Sequence, residues 1–254
     1  MESLIEVNGL YKKYSKKVLA LKNVTFSIKA GESVGLLGEN GAGKTTTLRI
    51  LATILKPTKG TTIIDGYDVL KDGEKVRGSI GALFGGDVAL YERLTARENI
   101  EFFGQLYDMK KEEINNRIKH LSEYFQFEGY LDTKASQLSR GMKQKIAIAR
   151  AIVHDPKIML LDEPTTGLDV VARRLLYDLI LKWSKEGKTI LFSSHSISEI
   201  ERLCQRVIII NKGQLIEEGT DSYLKGKYSL DNLEDIFIHL ITDGVENEYN
   251  IKDI

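Results

Sequence analysis

The chain has a single cysteine in 254 residues, no surplus of either charge and no long apolar run. The lone Cys204 excludes an intramolecular disulfide framework and fits a reducing compartment. Within "ERLCQRVIII" it reads as a packing residue. Lys plus Arg equals Asp plus Glu at 36 each, so neither the basic footprint of a nucleic-acid binder nor a polybasic membrane anchor is present. No stretch reaches the roughly 18 consecutive apolar residues that span a bilayer; "KIMLLDE" and "RVIIINK" are both interrupted by charge. The opening "MESLIEVNGL" has an acid where a secretion signal has basic residues, and no apolar segment follows. Export of the chain itself is not expected, and any membrane role is expected to run through a partner. Internal repeats and low-complexity tracts are also missing.

What is present is an alternation of short apolar strands with helical patterns, which predicts an α/β layered fold with a mostly parallel core sheet. At the front, "VTFSI" places Val24, Phe26 and Ile28 on one face, the pattern of an antiparallel strand with one wet side. "SVGLLG" is a fully apolar strand, followed by a glycine loop and a helix expected from Lys44 to about Leu55, where "KPTKG" stops it. Further strands are expected at "TTIID", "SIGALF", "KIMLLDE", "TILFSSH" and "RVIIIN", with "GQLIEEG" as a closing hairpin partner. From 86 to 155 strand signals give way to charged helical periodicity, so a helical insertion is expected. Its last helix sets Met142, Ile146, Ala149 and Val153 on one face, and "HDP" ends it because Pro156 disfavours helix at Asp155. The main domain is expected over 1–225, with a short tail over 226–254 that can form one helix around "LEDIFIHLI".

The strongest chemical signal is "GENGAGKTT": Gly38, Gly43, Lys44 and Thr45 satisfy G-x-x-x-x-G-K-[ST]. The glycines allow backbone N–H groups over Gly38, Glu39, Asn40, Gly41, Ala42, Gly43 and Thr46 to converge on phosphate oxygens. Lys44 is placed to reach the β- and γ-phosphates, and the Thr45 hydroxyl to hold Mg2+. The preceding strand and following helix add a macrodipole pointing at the anion. "IMLLDEP" supplies acids: a buried parallel strand normally excludes charge, yet Asp162 and Glu163 stand at its C-terminal end. There Asp162 can bind Mg2+ through water and Glu163 can orient and deprotonate an attacking water. His195 ends another strand in the same way; it is either a satisfied structural histidine or a hydrogen-bond donor to the γ-phosphate. A second anion-binding feature is "LSRGMKQ". Ser139 is a good N-cap and Gly141 allows close backbone approach, so the stretch is either an ordinary capped helix or half of a site. No second lysine-bearing loop accompanies it.

Together these residues resemble the nucleotide-binding subunits of ABC transporters over about residues 3–220. "GENGAGKT" is similar to the Walker A motif, "LSRGMKQ" to the ABC signature, "IMLLDE" to Walker B with its catalytic glutamate, "TTGLD" to the D-loop and His195 to the switch histidine. Tyr14 in "YKKYSKK" matches the aromatic that stacks on adenine. The resemblance implies a P-loop NTPase core with an N-terminal antiparallel β subdomain and an inserted helical subdomain. It also implies an ATPase using ATP and Mg2+, in which two such subunits pair head to tail as a homodimer. Ser139 and Gly141 would then contact the partner's γ-phosphate, and Asp169 would cross the interface. An integral membrane permease would couple that cycle to transport, with this chain peripheral on the cytoplasmic face of the membrane. Two departures stand out: Arg140 replaces the usual signature glycine, and Gly85 stands where the family has a glutamine. Either Asp87 takes over from that glutamine or the site relies on Asp162 and Glu163. "FGGDVALYERLTARENI" with "RGMKQ" is most similar to the NatA-like exporter branch, which implies sodium, drug or peptide export. The competing class is a non-transport ABC ATPase acting on DNA or ribosomes. Such proteins usually carry coiled coils or a second ATPase domain, and this chain shows neither. A P-loop switch or kinase leaves the signature, D-loop and His195 unexplained.

Overall fold

Alternating burial along the first strands builds an antiparallel layer. In a computed structural model describing residues 3–15, 17–84 and 90–249, β1 (Ser3–Lys13) and β2 (Leu19–Lys29) pair antiparallel. Val24, Phe26 and Ile28 turn inward as expected, while Thr25 and Ser27 face water. β1 is a strand that alternation does not reveal. Its register against β2 shifts between Val7 and Leu10, and such a bulge breaks the period of two. β3 (Ser33–Leu37) is buried at all five positions, as a strand covered on both faces must be. α1 (Lys44–Leu51) ends at Leu51 rather than Leu55, because Thr53 adopts φ +61°. The N–H groups of Ile54 and Leu55 then fold back onto the Arg49 carbonyl at 2.9 and 3.1 Å. "TTIID" lies in β4 (Lys59–Ile64), which pairs with β1 and, with β5 (Tyr67–Asp68), completes the outer sheet in the order β2-β1-β4-β5.

α2 (Gly73–Ser79) leads into β6 (Ile80–Phe84). Beyond it, the described residues up to Asp155 form the helical insertion. α3 (Ala96–Leu106) starts with a capping box, in which Thr95 Oγ1 accepts from the Glu98 N–H and Glu98 Oε2 from the Thr95 N–H. α4 (Lys111–Phe125) and α5 (Arg140–Ala151) complete it. Ile146, Ala149 and Val153 are fully buried, although Val153 already lies past the end of α5. Asp155, ahead of Pro156, takes φ +53°, a left-handed stop. Gly85, which stands where the family has a glutamine, and Asp87, one of the two alternatives to that glutamine, lie outside the described residues.

β7 (Ile158–Asp162), β8 (Thr189–Ser194), β9 (Arg206–Asn211) and β10 (Gln214–Gly219) join β3 and β6 in a six-stranded sheet of order β10-β9-β3-β8-β7-β6. Every pairing is parallel except the β9–β10 hairpin. α6 (Val170–Lys185) and α7 (Ile197–Leu203) are the crossovers. Side chains alternate between two cores: Leu36, Leu160, Leu191 and Ile208 pack toward the outer sheet. Leu37, Leu161, Phe192 and Ile209 pack toward the helical side. Cys204 packs with Ile200 over Gly35, and burial pushes its thiol up to about 12. α8 (Asp221–Tyr228) and α9 (Leu233–Tyr249) follow; Leu224, Leu233 and Ile236 are buried in the helical-side core. Among the described residues no helix is long and apolar enough to cross a membrane. The fold is the α/β class expected: a mostly parallel core, an antiparallel N-terminal layer and a helical insertion.

One half-buried histidine ties the insertion to the core. His154 stacks on Tyr107 with ring centroids 3.6 Å apart, and its Nε2 lies 3.0 Å from the Ile80 carbonyl oxygen. That carbonyl can only accept, so Nε2 carries the proton and the buried Nδ1, which has no partner, is bare. A second proton would place a charge where nothing receives it. Burial lowers the pKa from 6.5 to about 4. The unfolded chain therefore binds this proton first as pH falls. The stability present above pH 6.5 should decline toward pH 4 by on the order of 3 kcal/mol. Thermal melts should show a steeper loss between neutral and mildly acid pH in the native chain than in His154→Phe, which keeps the stack and cannot titrate. Parallel profiles would refute this assignment.

Candidate functional site

The site begins where β3 ends. A Cβ on Gly38 would stand 2.4 Å from the Ile210 carbonyl oxygen, and Gly43 turns at φ +112° with its Cβ position 2.7 Å from the Leu21 side chain. Only glycine fits either position, and the loop is thereby pressed against β2 and β9. Lys44 is 4% exposed; its ammonium donates to the carbonyls of Gly38 at 2.7 Å and Glu39 at 3.1 Å. Thr45, half-buried, faces a cleft of about 120 Å³ lined by Ala20, Asn40, Gly41, Gly43, Lys44, Thr45, Thr46 and Glu163. Ala42 is buried beneath the loop and Glu39 is exposed. The outer sheet delivers Tyr14: it is half-exposed, with its hydroxyl 3.3 Å from Thr46 Oγ1.

β7 and β8 end beside this cleft, which Glu163 lines. Asp162 is 5% exposed and accepts the Ser193 hydroxyl on Oδ1 at 2.6 Å. Glu163 leaves the strand at φ +44°, a left-handed conformation held by its N–H donating to the Ser193 carbonyl at 3.1 Å. The Glu163 carboxylate lies 3.5 Å from Lys44 Nζ and 3.4 Å from His195 Nδ1. One carboxylate thus touches two of the expected functional groups, and the His195 ring remains 60% exposed. Three separate strand ends are brought together.

The remaining expected residues form a second cluster, and none of them lines that cleft. Ser139 caps α5, its Oγ accepting the Met142 N–H at 3.3 Å. Asp169 caps α6 through Oδ1 to the Ala172 N–H at 2.8 Å. Gly141 adjoins Asp169, whose Oδ2 lies 3.7 Å from the Gly141 Cβ position. Arg140 does not merely reach into solvent. Its guanidinium covers Gly167, occupying the space a Cβ there would need. Ser139, Arg140 and Asp169 are exposed, as are Val170 and Val171 beside them.

Some participants escape sequence reasoning. Ser193 holds both Asp162 and the Glu163 backbone, and its signal is a hydroxyl inside an apolar strand. Gln144, 5% exposed, donates to the Pro164 carbonyl at 3.4 Å and so joins α5 to the segment after Glu163. Nothing in its helical spacing announces that contact.

The ABC transporter family model matches residues 21–166, more than half of the chain. The chain belongs to the ABC transporter family. It is 42% identical over 245 residues to the ABC transporter ATP-binding protein NatA of Bacillus subtilis (strain 168), covering 96% of this chain and all of that protein. It is 39% identical over 223 residues to the Nod factor export ATP-binding protein I of Paraburkholderia xenovorans (strain LB400), covering 88% of this chain and 73% of that protein. A dimeric ATP-binding cassette solved in a post-hydrolysis state with ADP and Pi superposes with a TM-score of 0.77 at 32% identity, covering 85% of this chain and 98% of that one. This member of the family is accordingly an ABC-type ATPase.

Proposed function

We propose that this chain is the ATP-binding and ATP-hydrolysing subunit of an exporter, driving a separate membrane permease by ATP-dependent closure of a dimer. The observation that carries the reading is the Glu163 carboxylate, which lines the phosphate-loop cleft within 3.5 Å of Lys44 and 3.4 Å of His195. Lys44 exchanges its two loop carbonyls for β- and γ-phosphate oxygens, and its departure frees Glu163 to orient and deprotonate the attacking water. His195 donates to the γ-phosphate, and Tyr14 stacks on adenine from the outer sheet. The backbone N–H groups from Gly38 to Thr46 surround the phosphates.

Mg2+ fits the donor set. Thr45 offers a hydroxyl to the cleft and Asp162 a carboxylate at the end of β7, with β8 between that strand and β3; both are hard oxygen ligands. Among the described residues no cluster of three or more metal-ligating side chains exists, so phosphate and water must fill the remaining positions. When bound, the ion neutralises charge on the transferred phosphate.

The second cluster supports the dimer. Ser139 and Gly141 present a helix N-terminus that the chain's own cleft does not use, beside Asp169 and two exposed valines. We read it as the cap on the partner's γ-phosphate, with a second copy of this chain as that partner. The ATP-binding domain runs over 1–225 with its helical insertion over 86–155, and the described part of the 226–254 tail packs Leu233 and Ile236 onto it. Resemblance to the NatA-like branch and to an export protein favours outward transport of sodium, drug or peptide, from the cytoplasmic face of the membrane.

Glu163→Gln keeps the shape and removes the base, so ATP turnover should fall by at least about 100-fold while a nucleotide-bound dimer accumulates on size exclusion. Normal turnover would reject the role. Ser139→Arg should block ATP-dependent dimerisation yet leave ATP affinity within about threefold; lost binding would mean that the signature serves its own chain. Mild-detergent extraction of native membranes should bring down an integral membrane protein with this chain. Ribosomes or DNA in its place would favour the non-transport class.

A further inference from the structure

Besides the residues that line the cleft, one group of buried polar side chains has no role in the chemistry described. Glu199 on α7 is 8% exposed, and both its carboxylate oxygens are engaged. The Tyr177 hydroxyl donates to Oε1 at 2.7 Å and the Ser194 hydroxyl to Oε2 at 2.7 Å. Ser194 Oγ in turn accepts the Ser196 N–H at 2.9 Å, closing the turn from which His195 projects. Burial and the Glu199 carboxylate push the Tyr177 hydroxyl up to about 12, so it stays protonated and donates. Arg202 lies over the Tyr177 ring, 4.9 Å from its centroid.

A buried carboxylate is costly, and an apolar side chain of similar volume would often serve stability as well. Its arrangement here points elsewhere. β8 ends in two serines with opposite tasks: Ser193 reaches Asp162, and Ser194 reaches Glu199. Tyr177 sits two turns into α6, the helix capped by Asp169. The His195 turn is therefore fastened on one side to the metal-side acid and on the other to the helix that starts at the second cluster.

We infer that Glu199 is a positioning residue for ATP hydrolysis, clamping the His195 turn to α6 through Ser194 and Tyr177, so that His195 meets Glu163 in a set geometry. The inference rests on the reading of His195 and Glu163 given above. Its consequence is that the histidine and the Asp169 helix shift together when the second cluster engages a partner.

Glu199→Gln keeps the volume but turns one acceptor into a donor. The amide oxygen can face only one of the two hydroxyls, so either Ser194 or Tyr177 loses its acceptor and the clamp opens at that end. In the full-length chain kcat should fall about tenfold, with KM for ATP within about twofold. Added to His195→Ala, the same substitution should cost less than about twofold, because the clamp acts through the histidine. A full tenfold loss in that background would overturn the inference. A readout free of turnover comes from the histidine Cε1–H resonances of the nucleotide-free chain. Glu199→Gln and Tyr177→Phe should each move the His195 signal while that of exposed His120 stays fixed; an unmoved His195 signal would also overturn it. If His195→Ala hydrolyses ATP normally, the proposed role of His195 fails by itself, and the resonance shift still decides whether Glu199 holds the turn. Should Glu199→Gln not fold, Tyr177→Phe, lacking a single hydroxyl, carries the same measurements.

Discussion

Everything at the cleft depends on the parallel register of three adjacent strands. Leu37 of β3 pairs with Ser194 of β8, and Asp162 of β7 pairs with Ser193. Parallel strands aligned in this way leave the sheet at one level, so Gly38, Glu163 and His195 emerge side by side though they lie far apart along the chain. A slip of one residue would turn Asp162 to the opposite face and separate it from Ser193. The apolar alternation above and below the sheet prevents that slip, since Leu36 and Leu160 must meet one core and Leu37 and Leu161 the other. The geometry of the cleft is in this sense inherited from hydrophobic packing.

Charge is then admitted only where the sheet stops. Lys44 is nearly enclosed, and two carbonyls with one carboxylate compensate its desolvation. Glu163 sits in a left-handed conformation that a non-glycine residue adopts at some cost. The Ser193 carbonyl offsets it by accepting the Glu163 N–H. That strain aims the carboxylate at the cleft instead of along the strand. Serines thus hold the acids on both sides: Ser193 toward the reacting groups, Ser194 toward the helical side.

The second cluster follows a different logic. Ser139 and Asp169 each cap a helix, and the two caps meet at Gly141, with Arg140 lying across Gly167. Local capping needs would alone account for a serine and an aspartate at these positions. What capping leaves unexplained is the exposed, partly apolar surface around them, with Val170 at 81% and Val171 at 71% exposure. The pairing with a second copy proposed above would cover that surface.

How much was legible in the sequence follows from the range of the forces involved. The phosphate loop, the acid pair after an apolar strand and the serine-capped helix are local patterns, written within ten residues by backbone sterics and side-chain chemistry, and all were readable. β1 was hidden because a bulge erased its period, and α1 was overextended because Thr53 turns left-handed with no glycine to mark it. Assignment of β4 to the outer sheet, the Gln144 contact with Pro164, the Arg140 position over Gly167 and the Glu199 clamp all join residues distant in sequence. The sequence alone determined the glycine loop and the helix caps, since the groups that shape a loop or cap a helix must be adjacent along the chain. Only the tertiary structure decided which of them meet, because strand register and the burial of polar side chains are settled by packing among the whole set of elements.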